Sequence, residues 1–370
     1  MKIIYITTEG ISSTVFESQV LALKRRLELK GIKPTLIIGQ KIKARISPAK
    51  LFRLNNDKSN HIIFIRDFIN HHKVAKKIYG HIMTHEDIVI HCRNIDAAYI
   101  GYILKQKFEN KNIQVLYDVR GYLEGEALYF KDEDSKKRIE ELNKMLYSSD
   151  IYFNFVSEEL YNLYNNKHSI NPKRVLFCNS AYDDKVFKLS ESQTVTHSEI
   201  VKILYVGGNQ GYQKIEGIIS SLKERGDVEL TVVTSKPIYK KNKKKNVKFL
   251  SNLKPEQINV LSDEFDYGII YRSNEIFNQV ATPTKVTEYW GKGLKVIAVN
   301  SAGAYTKTIL KDSRLGIIVG SENELLTIPL QKTTFSEKQY INKVAKDSFS
   351  QSVNIEKYLS LYNEMLKKKT

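Results

Sequence analysis

Residues 281–297 read Ala281-Thr282-Pro283-Thr284-Lys285-Val286-Thr287-Glu288-Tyr289-Trp290-Gly291-Lys292-Gly293-Leu294-Lys295-Val296-Ile297. Pro283 suits the opening of a helix, where its missing N–H is no loss and its backbone angle is preset. Lys285 and Glu288 are three apart, hence neighbours on one helix face. Beyond them Val296–Val299 is a short apolar run with β-branched residues, a strand. A helix N-terminus, a lysine and the nearby Tyr271-Arg272 together make a diphosphate site. A carboxylate one turn on could accept hydrogen bonds from ribose hydroxyls. By spacing alone, an ordinary surface ion pair is an equal reading.

The same alternation of strand and helix extends in both directions. Upstream, Ile3–Thr7, Thr35–Ile38, Ile62–Ile65, Ile88–His91, Val115–Asp118, Ile151–Val156 and Val175–Phe177 are apolar runs bounded by turn residues. Phe16, Val20, Leu23 and Leu27 put an apolar stripe on one helix face, with Arg25 opposite. Ser157 is a good N-cap, with Glu158 and Glu159 in the first turn behind it. Strand–helix alternation predicts an α/β fold with parallel sheets covered on both faces. Residues 190–199 (SESQTVTHSE) lack periodicity and read as a linker. Strands then resume at Lys202–Val206, Leu230–Thr234, Val247–Leu250, Tyr267–Ile270, Val296–Val299 and Gly316–Val319. The expectation is two α/β domains of similar size, 1–189 and 200–345, followed by a helical segment over 346–370. In that segment Ile355, Leu359, Tyr362 and Leu366 form a stripe that needs a surface to dock on.

Length and composition agree. The 370 residues suit two domains, and 42% hydrophobic content with only 7 prolines leaves little room for disorder. Two cysteines, Cys92 and Cys178, cannot build a disulfide framework or a four-thiolate zinc site, which points to a reduced, cytoplasmic setting. No apolar run approaches the ~18 residues needed to span a bilayer. Charge is the unusual quantity. The chain has 58 basic and 41 acidic residues, a net charge of +17. Lys24, Arg25, Arg26, Lys30, Lys33, Lys41, Lys43, Arg45, Lys50 and Arg53 crowd into one stretch, with Glu28 the single acid among them. Such a cluster suits nucleic acid, an anionic membrane or a phosphorylated substrate, and equally a solubilising surface. No nucleic-acid partner is expected, because no aromatic–basic strand motif and no helix-turn-helix signature accompanies the charge.

Two glycine turns follow predicted strands. Gly10 lies between the first strand and the first helix, where backbone N–H groups favour an anion. Gly207, Gly208, Asn209 and Gly211 lie between another strand and helix and suggest backbone approaching a ligand. A turn with no ligand is an open alternative at both. Neither is a dinucleotide fingerprint or a Walker-type loop. His81 and His85 share a helical spacing but lack a third metal ligand.

With these residues in view, the 281–297 segment resembles the donor-site motif of family 4 glycosyltransferases of the GT-B fold, which often read P-x-K-x-x-E-Y followed by G-x-P-V-I. Other parts agree in order: the Gly10 loop, Asp118-Val119-Arg120-Gly121 with Glu126 beyond, Asn179 after a short strand, and Gly316–Val319. The likeness spans nearly the whole chain, although only 281–297 is individually specific.

The resemblance implies two Rossmann-like domains facing across a cleft, with the C-terminal helix crossing back to the first domain. It implies a retaining, metal-independent hexosyltransferase acting on a nucleotide-sugar donor, a UDP- or GDP-sugar. The acceptor would be a glycan or lipid-linked hydroxyl of capsule or lipopolysaccharide assembly. Glu288 would bind the ribose, and Arg272 and Lys285 the diphosphate. Thr282, Pro283 and Thr284 would add contacts, as would Gly10, Gly207, Gly208 and Asn209. Asp118 and Arg120 would face the acceptor, with Asp118 orienting or deprotonating its hydroxyl. The family's first glutamate is replaced by Val280, and its usual proline by Lys295. No resident cofactor is implied. The basic stretch Lys24–Arg53 would hold the enzyme peripherally on an anionic membrane. A nucleotide-sugar epimerase of the same fold is the runner-up.

Overall fold

The computed structural model describes residues 1–11, 15–40, 62–66, 68, 70–82, 87–109, 111–191, 199–208, 211–235 and 245–367. The chain forms two compact units, one of residues 1–179 with 354–370, the other of residues 180–353.

The first unit is built on seven parallel strands: β1 (Lys2–Thr7), β2 (Thr35–Gln40), β3 (Ile62–Arg66), β4 (Asp87–Arg93), β5 (Asn112–Val119), β6 (Tyr152–Phe155) and β7 (Val175–Phe177). Their spatial order is β3-β2-β1-β4-β5-β6-β7. Ile3, Ile4, Tyr5 and Ile6 are all buried, as a parallel strand covered on both faces requires. The helices are α1 (Ala22–Leu29), α2 (His71–Ile82), α3 (Ile95–Lys107), α4 (Leu123–Tyr129), α5 (Glu133–Tyr147) and α6 (Glu158–His168). The stripe of Phe16, Val20, Leu23 and Leu27 is buried as its spacing predicts, although Phe16–Leu21 winds as a wider π-type turn before α1 begins. Ser157 caps α6 by accepting a hydrogen bond from the Leu160 N–H at 3.1 Å.

The second unit carries six parallel strands: β8 (Val201–Val206), β9 (Val228–Thr234), β10 (Val247–Ser251), β11 (Tyr267–Tyr271), β12 (Lys295–Val299) and β13 (Gly316–Val319), in the order β10-β9-β8-β11-β12-β13. Helices α7 (Ile215–Leu222), α8 (Pro255–Leu261), α9 (Ile276–Gln279), α10 (Thr284–Gly291), α11 (Thr306–Lys311), α12 (Glu322–Thr327) and α13 (Phe335–Phe349) belong with it. Alternate residues of β8 feed separate cores. Ile203 and Tyr205 pack with α7, while Leu204 and Val206 pack with α10 and α13.

The division between units differs from the boundaries read in the sequence, 189 and 345. Tyr182 and Phe187 are buried in the second unit's core, and the Tyr182 ring lies against Gly291. Residues 180–189 therefore fold with the second unit, and so does the chain through 353. Most of the expected linker, residues 192–198, lies outside the described residues. The last helix, α14 (Gln351–Lys367), contributes Ile355, Tyr358, Leu361, Tyr362 and Met365 to the first unit's core.

One glycine in the second unit has a direct bearing on the functional edge. A Cβ on Gly268, in β11, would sit 2.2 Å from the Tyr289 ring. The missing side chain lets that ring lie flat on the strand, and its hydroxyl accepts a hydrogen bond from the Val206 N–H at 2.8 Å. Helix α10 is thereby pinned to the end of β8. Gly268→Ala should destabilise the protein by about 1–3 kcal/mol through overpacking. Gly226→Ala, at an exposed position with nothing near the added carbon, should be close to neutral. Urea midpoints of the two variants, at unchanged slope, test the contrast.

Candidate active site

Each sheet has one place where consecutive connections depart in opposite directions. In the second unit the chain steps outward from β8 to β9 and β10, then returns to β11 on the other side of β8. In the first it steps from β1 to β2 and β3, then returns to β4 beside β1. Open parallel sheets bind ligands at the C-terminal edge of such switch points. The sequence-predicted residues gather at these two edges.

At the end of β8, Gly207 donates to the Val233 carbonyl at 3.1 Å, and a Cβ there would meet the Tyr205 hydroxyl at 2.7 Å. That hydroxyl lies 2.7 Å from both the Gly208 carbonyl and Gln213 Oε1, which fixes the turn. Asn209 lies outside the described residues. Arg272 follows β11 next door. Its Nη1 donates to Asn278 Oδ1 at 3.0 Å, and its guanidinium lies 5.6 Å from the Tyr212 ring centre. Asn278 is fully buried and spends its N–H groups on the Ser273 hydroxyl and carbonyl. The arginine is therefore oriented from two directions.

Helix α10 begins where the sequence predicts, with Pro283 at its cap. Lys285 Nζ lies 2.5 Å from Glu288 Oε2. Glu288 is buried, and Lys285 is its one side-chain partner among the described residues. The second carboxylate oxygen has no side-chain partner among the described residues. Thr282 does other work: its hydroxyl donates to Ser180 Oγ at 3.0 Å and accepts from the Ser180 N–H at 3.1 Å. It anchors the chain entering the unit. Thr284 offers its carbonyl to the Thr287 hydroxyl at 2.9 Å. The loop after β12 closes this edge. Gly303 adopts φ +64°, and a Cβ there would lie 2.2 Å from the Ala281 carbonyl. Val280 is buried, and Lys295 pairs with Glu337 at 2.6 Å, so it neither reshapes a loop nor sits in solvent.

In the first unit Gly10 is exposed, with open space where a Cβ would be. Close packing does not demand a glycine there. Asp118, at the end of β5, is fully buried. It accepts hydrogen bonds from Asn154 Nδ2 at 2.7 Å and Arg120 Nη1 at 3.3 Å, with Arg93 Nη1 at 3.5 Å and His91 Nε2 at 3.7 Å. Burial alone would raise its pKa. The Arg120 charge, the nearby His91 ring and the Arg93 charge outweigh that and hold the carboxyl well below the usual carboxylate range. So weak a base, enclosed on all sides, does not fit the deprotonating role expected for it. Asp118 instead positions two arginines: Arg120, which also donates to Gln19 Oε1 at 3.1 Å, and Arg93, whose Nε donates to Glu9 Oε1 at 3.2 Å. The last helix joins this network through Tyr362, whose hydroxyl lies 2.6 Å from His91 Nδ1.

Sequence reading missed Glu9, Arg93, Asn154, Tyr212 and Asn278. For Arg93 a signal existed, since it ends the strand beside the switch point. Asn278 had none, because its partners are fixed only by the fold.

The basic stretch is less free than its composition implied. Lys24 and Arg26 are buried, and Lys24 pairs with Glu28 at 2.5 Å. Arg25 pairs with Glu17 at 3.0 Å, and Lys30 with Glu356 at 2.5 Å. Lys41, Lys43, Arg45, Lys50 and Arg53 lie outside the described residues, as do His85 and the side chain of His81. Among the described residues no three His, Cys, Asp or Glu side chains are grouped to hold a metal, and no helix is long and apolar enough to cross a membrane.

No protein-family profile and no curated protein sequence matches the chain. Solved structures do. A glycosyltransferase from Rickettsia africae superposes with a TM-score of 0.67 at 13% identity, covering 100% of this chain and 99% of that one. The fold is of the GT-B type. A trehalose-6-phosphate protein from E. coli bound with UDP-2-fluoro glucose gives 0.64 at 9% identity, with 100% of both chains covered. A UDP-N-acetylglucosamine 2-epimerase from Listeria monocytogenes gives 0.55 at 11% identity, covering 97% of this chain and 94% of that one.

The Asp118 network sets a pH dependence. Its folded pKa is depressed, so its stabilisation is present above the unfolded value of about 3.9 and is lost as pH falls below it. Asp118→Asn should cost about 3–5 kcal/mol at neutral pH, because buried arginines lose their counter-charge. The gap between wild type and variant should close as pH drops below about 4. Urea unfolding across that range measures it, and a gap independent of pH would contradict the assignment.

Proposed function

We propose that this chain is a retaining glycosyltransferase that moves a hexosyl group from a nucleotide-diphosphate donor to a hydroxyl of a glycan or lipid-linked acceptor. The observation that carries the reading is the donor-side constellation at the β8/β11 switch point. It consists of an arginine oriented from two directions, a helix N-terminus, and a buried Lys285–Glu288 pair with one carboxylate oxygen to spare.

Departure of the nucleotide puts negative charge on the diphosphate. Arg272, Lys285 and the first-turn N–H groups of α10 stabilise that charge from fixed positions. Glu288 accepts from the ribose hydroxyls. Transfer with retention then proceeds on the front face: the acceptor oxygen bonds the anomeric carbon as its bond to the diphosphate breaks, and the departing diphosphate oxygen takes the hydroxyl proton, with no protein nucleophile and no resident metal. On the first unit, Arg93 and Arg120, held by Asp118, meet the acceptor, with Glu9 and the Gly10 loop beside them. UDP- or GDP-sugars are the proposed donors, and capsule or lipopolysaccharide assembly at a cytoplasmic membrane face is the proposed setting. Salt-sensitive co-sedimentation with anionic liposomes tests the peripheral attachment, and its absence at low salt would end that part of the reading.

The epimerase-like neighbour gives a second reading, conversion of a nucleotide sugar without an acceptor. Product analysis separates the two. A transferase releases free nucleoside diphosphate in proportion to glycosylated acceptor, and an epimerase returns an isomeric nucleotide sugar.

A thermal-shift panel of UDP, GDP and ADP with their sugars should single out one nucleotide, since a ligand bound at about 100 times its Kd adds roughly 2.7 kcal/mol to stability. Glu288→Gln should lower donor affinity and turnover by more than about tenfold through loss of a charge-assisted hydrogen bond. Lys285→Ala should cost about 2–4 kcal/mol of transition-state stabilisation. EDTA should leave the rate nearly unchanged. Full donor affinity in Glu288→Gln, or metal-reversible loss of activity, would overturn the mechanism.

A further inference from the structure

The last helix brings more than an apolar stripe to the first unit. Tyr358 and Tyr362 stand one turn apart on α14, and both are buried in that unit's core. Strand register sets the sheet face beside them. Thr7, Arg93, Asp118 and Asn154 form one row across β1, β4, β5 and β6, and Tyr5, His91, Leu116 and Tyr152 form the next row on the same face. Each tyrosine of the helix meets one polar group of these rows. Asn154 Nδ2 donates to the Tyr358 hydroxyl at 3.1 Å and to Asp118 at 2.7 Å. The Tyr362 hydroxyl lies 2.6 Å from His91 Nδ1, its one hydrogen-bond partner among the described residues. The rings of Tyr5 and Tyr358 pack on His91, with centres 4.8 and 5.1 Å away.

A buried hydroxyl left unbonded is costly, so Tyr362 needs this partner. The proton between them can be placed from the far side of the ring. His91 Nε2 lies 3.7 Å from Asp118 Oδ2, too far for a hydrogen bond, and has no other partner among the described residues. Burial works against the charge of Asp118, but Arg120 foremost holds its pKa well below the usual carboxylate range, so the carboxylate is ionised at neutral pH. A lone pair on Nε2 would face that negative charge, whereas an N–H turns its positive end towards it. A second ring proton is not called for, because Arg93 and Arg120 already balance the carboxylates of Asp118 and Glu9. One proton on Nε2 leaves the lone pair on Nδ1.

We propose that Tyr362 is a positioning residue for the acceptor side: its O–H donates to His91 Nδ1 and holds the ring with Nε2–H towards Asp118, the carboxylate that orients Arg93 and Arg120. The terminal helix is then part of the site's support, although none of its side chains reaches the arginines. That these arginines serve an acceptor rests on the glycosyltransferase reading, whereas the place of the proton does not.

The test uses the full chain, labelled with nitrogen-15 in histidine and arginine. Proton–nitrogen NMR spectra at neutral pH should show His91 protonated on Nε2 and bare on Nδ1. Tyr362→Phe keeps the ring and removes the donor. In that variant the Nδ1 signal should move to the position of a nitrogen without a hydrogen bond. The Arg93 Nε–H, which donates to Glu9, should then exchange with water roughly fivefold faster or more, the factor that one net hydrogen bond represents. Tyr358→Phe removes the neighbouring hydroxyl from the same helix and should leave the His91 Nδ1 signal where it is, which separates positioning from a general loosening of α14. If Tyr362→Phe does not fold, the wild-type spectrum decides by itself. A wild-type His91 protonated on Nδ1, or an Arg93 exchange rate indifferent to Tyr362→Phe, would overturn the proposal. These readouts need no acceptor, so their failure is distinct from failure of the transferase reading, which product analysis decides.

Discussion

A carboxylate taken out of water must be answered by hydrogen bonds or by charge, and the buried Asp118 and Glu288 are answered in different ways. Asp118 is answered in excess, with two arginines, a histidine and an asparagine around it. Such a group is inert as a base and useful as an anchor. Glu288 is answered by one lysine on one oxygen, which keeps it ionised yet leaves capacity for a ligand. The chemistry available to each follows from this count of partners. Asp118 organises its neighbours, whereas Glu288 keeps the capacity to accept a further hydrogen bond.

The same accounting explains why the donor-side edge is rigid without being crowded. Arg272 is held by the Asn278 amide, whose oxygen accepts from its guanidinium, and by the Tyr212 ring. Behind it, Tyr289 lies on Gly268 and ties α10 to β8, so the helix N-terminus and the glycine turn move as one body. Preorganised charge of this kind stabilises a developing anion without reorganising when the reaction occurs.

Much of the architecture was legible because strand and helix periods are local. Every expected strand is present, and the Ser157 cap and the Pro283 helix start stand where their residue types place them. The unit boundary was misread because Ser180–Phe187 has no helix or strand period, and only the fold shows the rings of Tyr182 and Phe187 in a core. Arginine roles were half legible. Arg272 was found through its motif, whereas Arg93, two residues past the strand read over Ile88–His91, belongs to no motif and is marked only by its place beside the switch point. Asp118 was found but given the wrong task, because its partners come from β4, β6 and the loop after β5. Spacing along the chain cannot show three segments converging.

Lysine content misleads in a related way. Lys292 follows a helix and sits between two glycines, a context that reads as a solvent-facing turn, yet its side chain is buried. Its Nζ donates to the Lys188 carbonyl and to Asp263, both at 2.5 Å, and burial lowers its pKa against the pull of Asp263. Lys338 is buried against the same acidic region, and Lys24 is buried beside Glu28 in the first unit. These lysines add to the formal +17 but offer no charge to a partner. A surface attracts an anionic partner with the cations left over after internal pairing. The basic excess of this chain is therefore a poor measure of its basic surface.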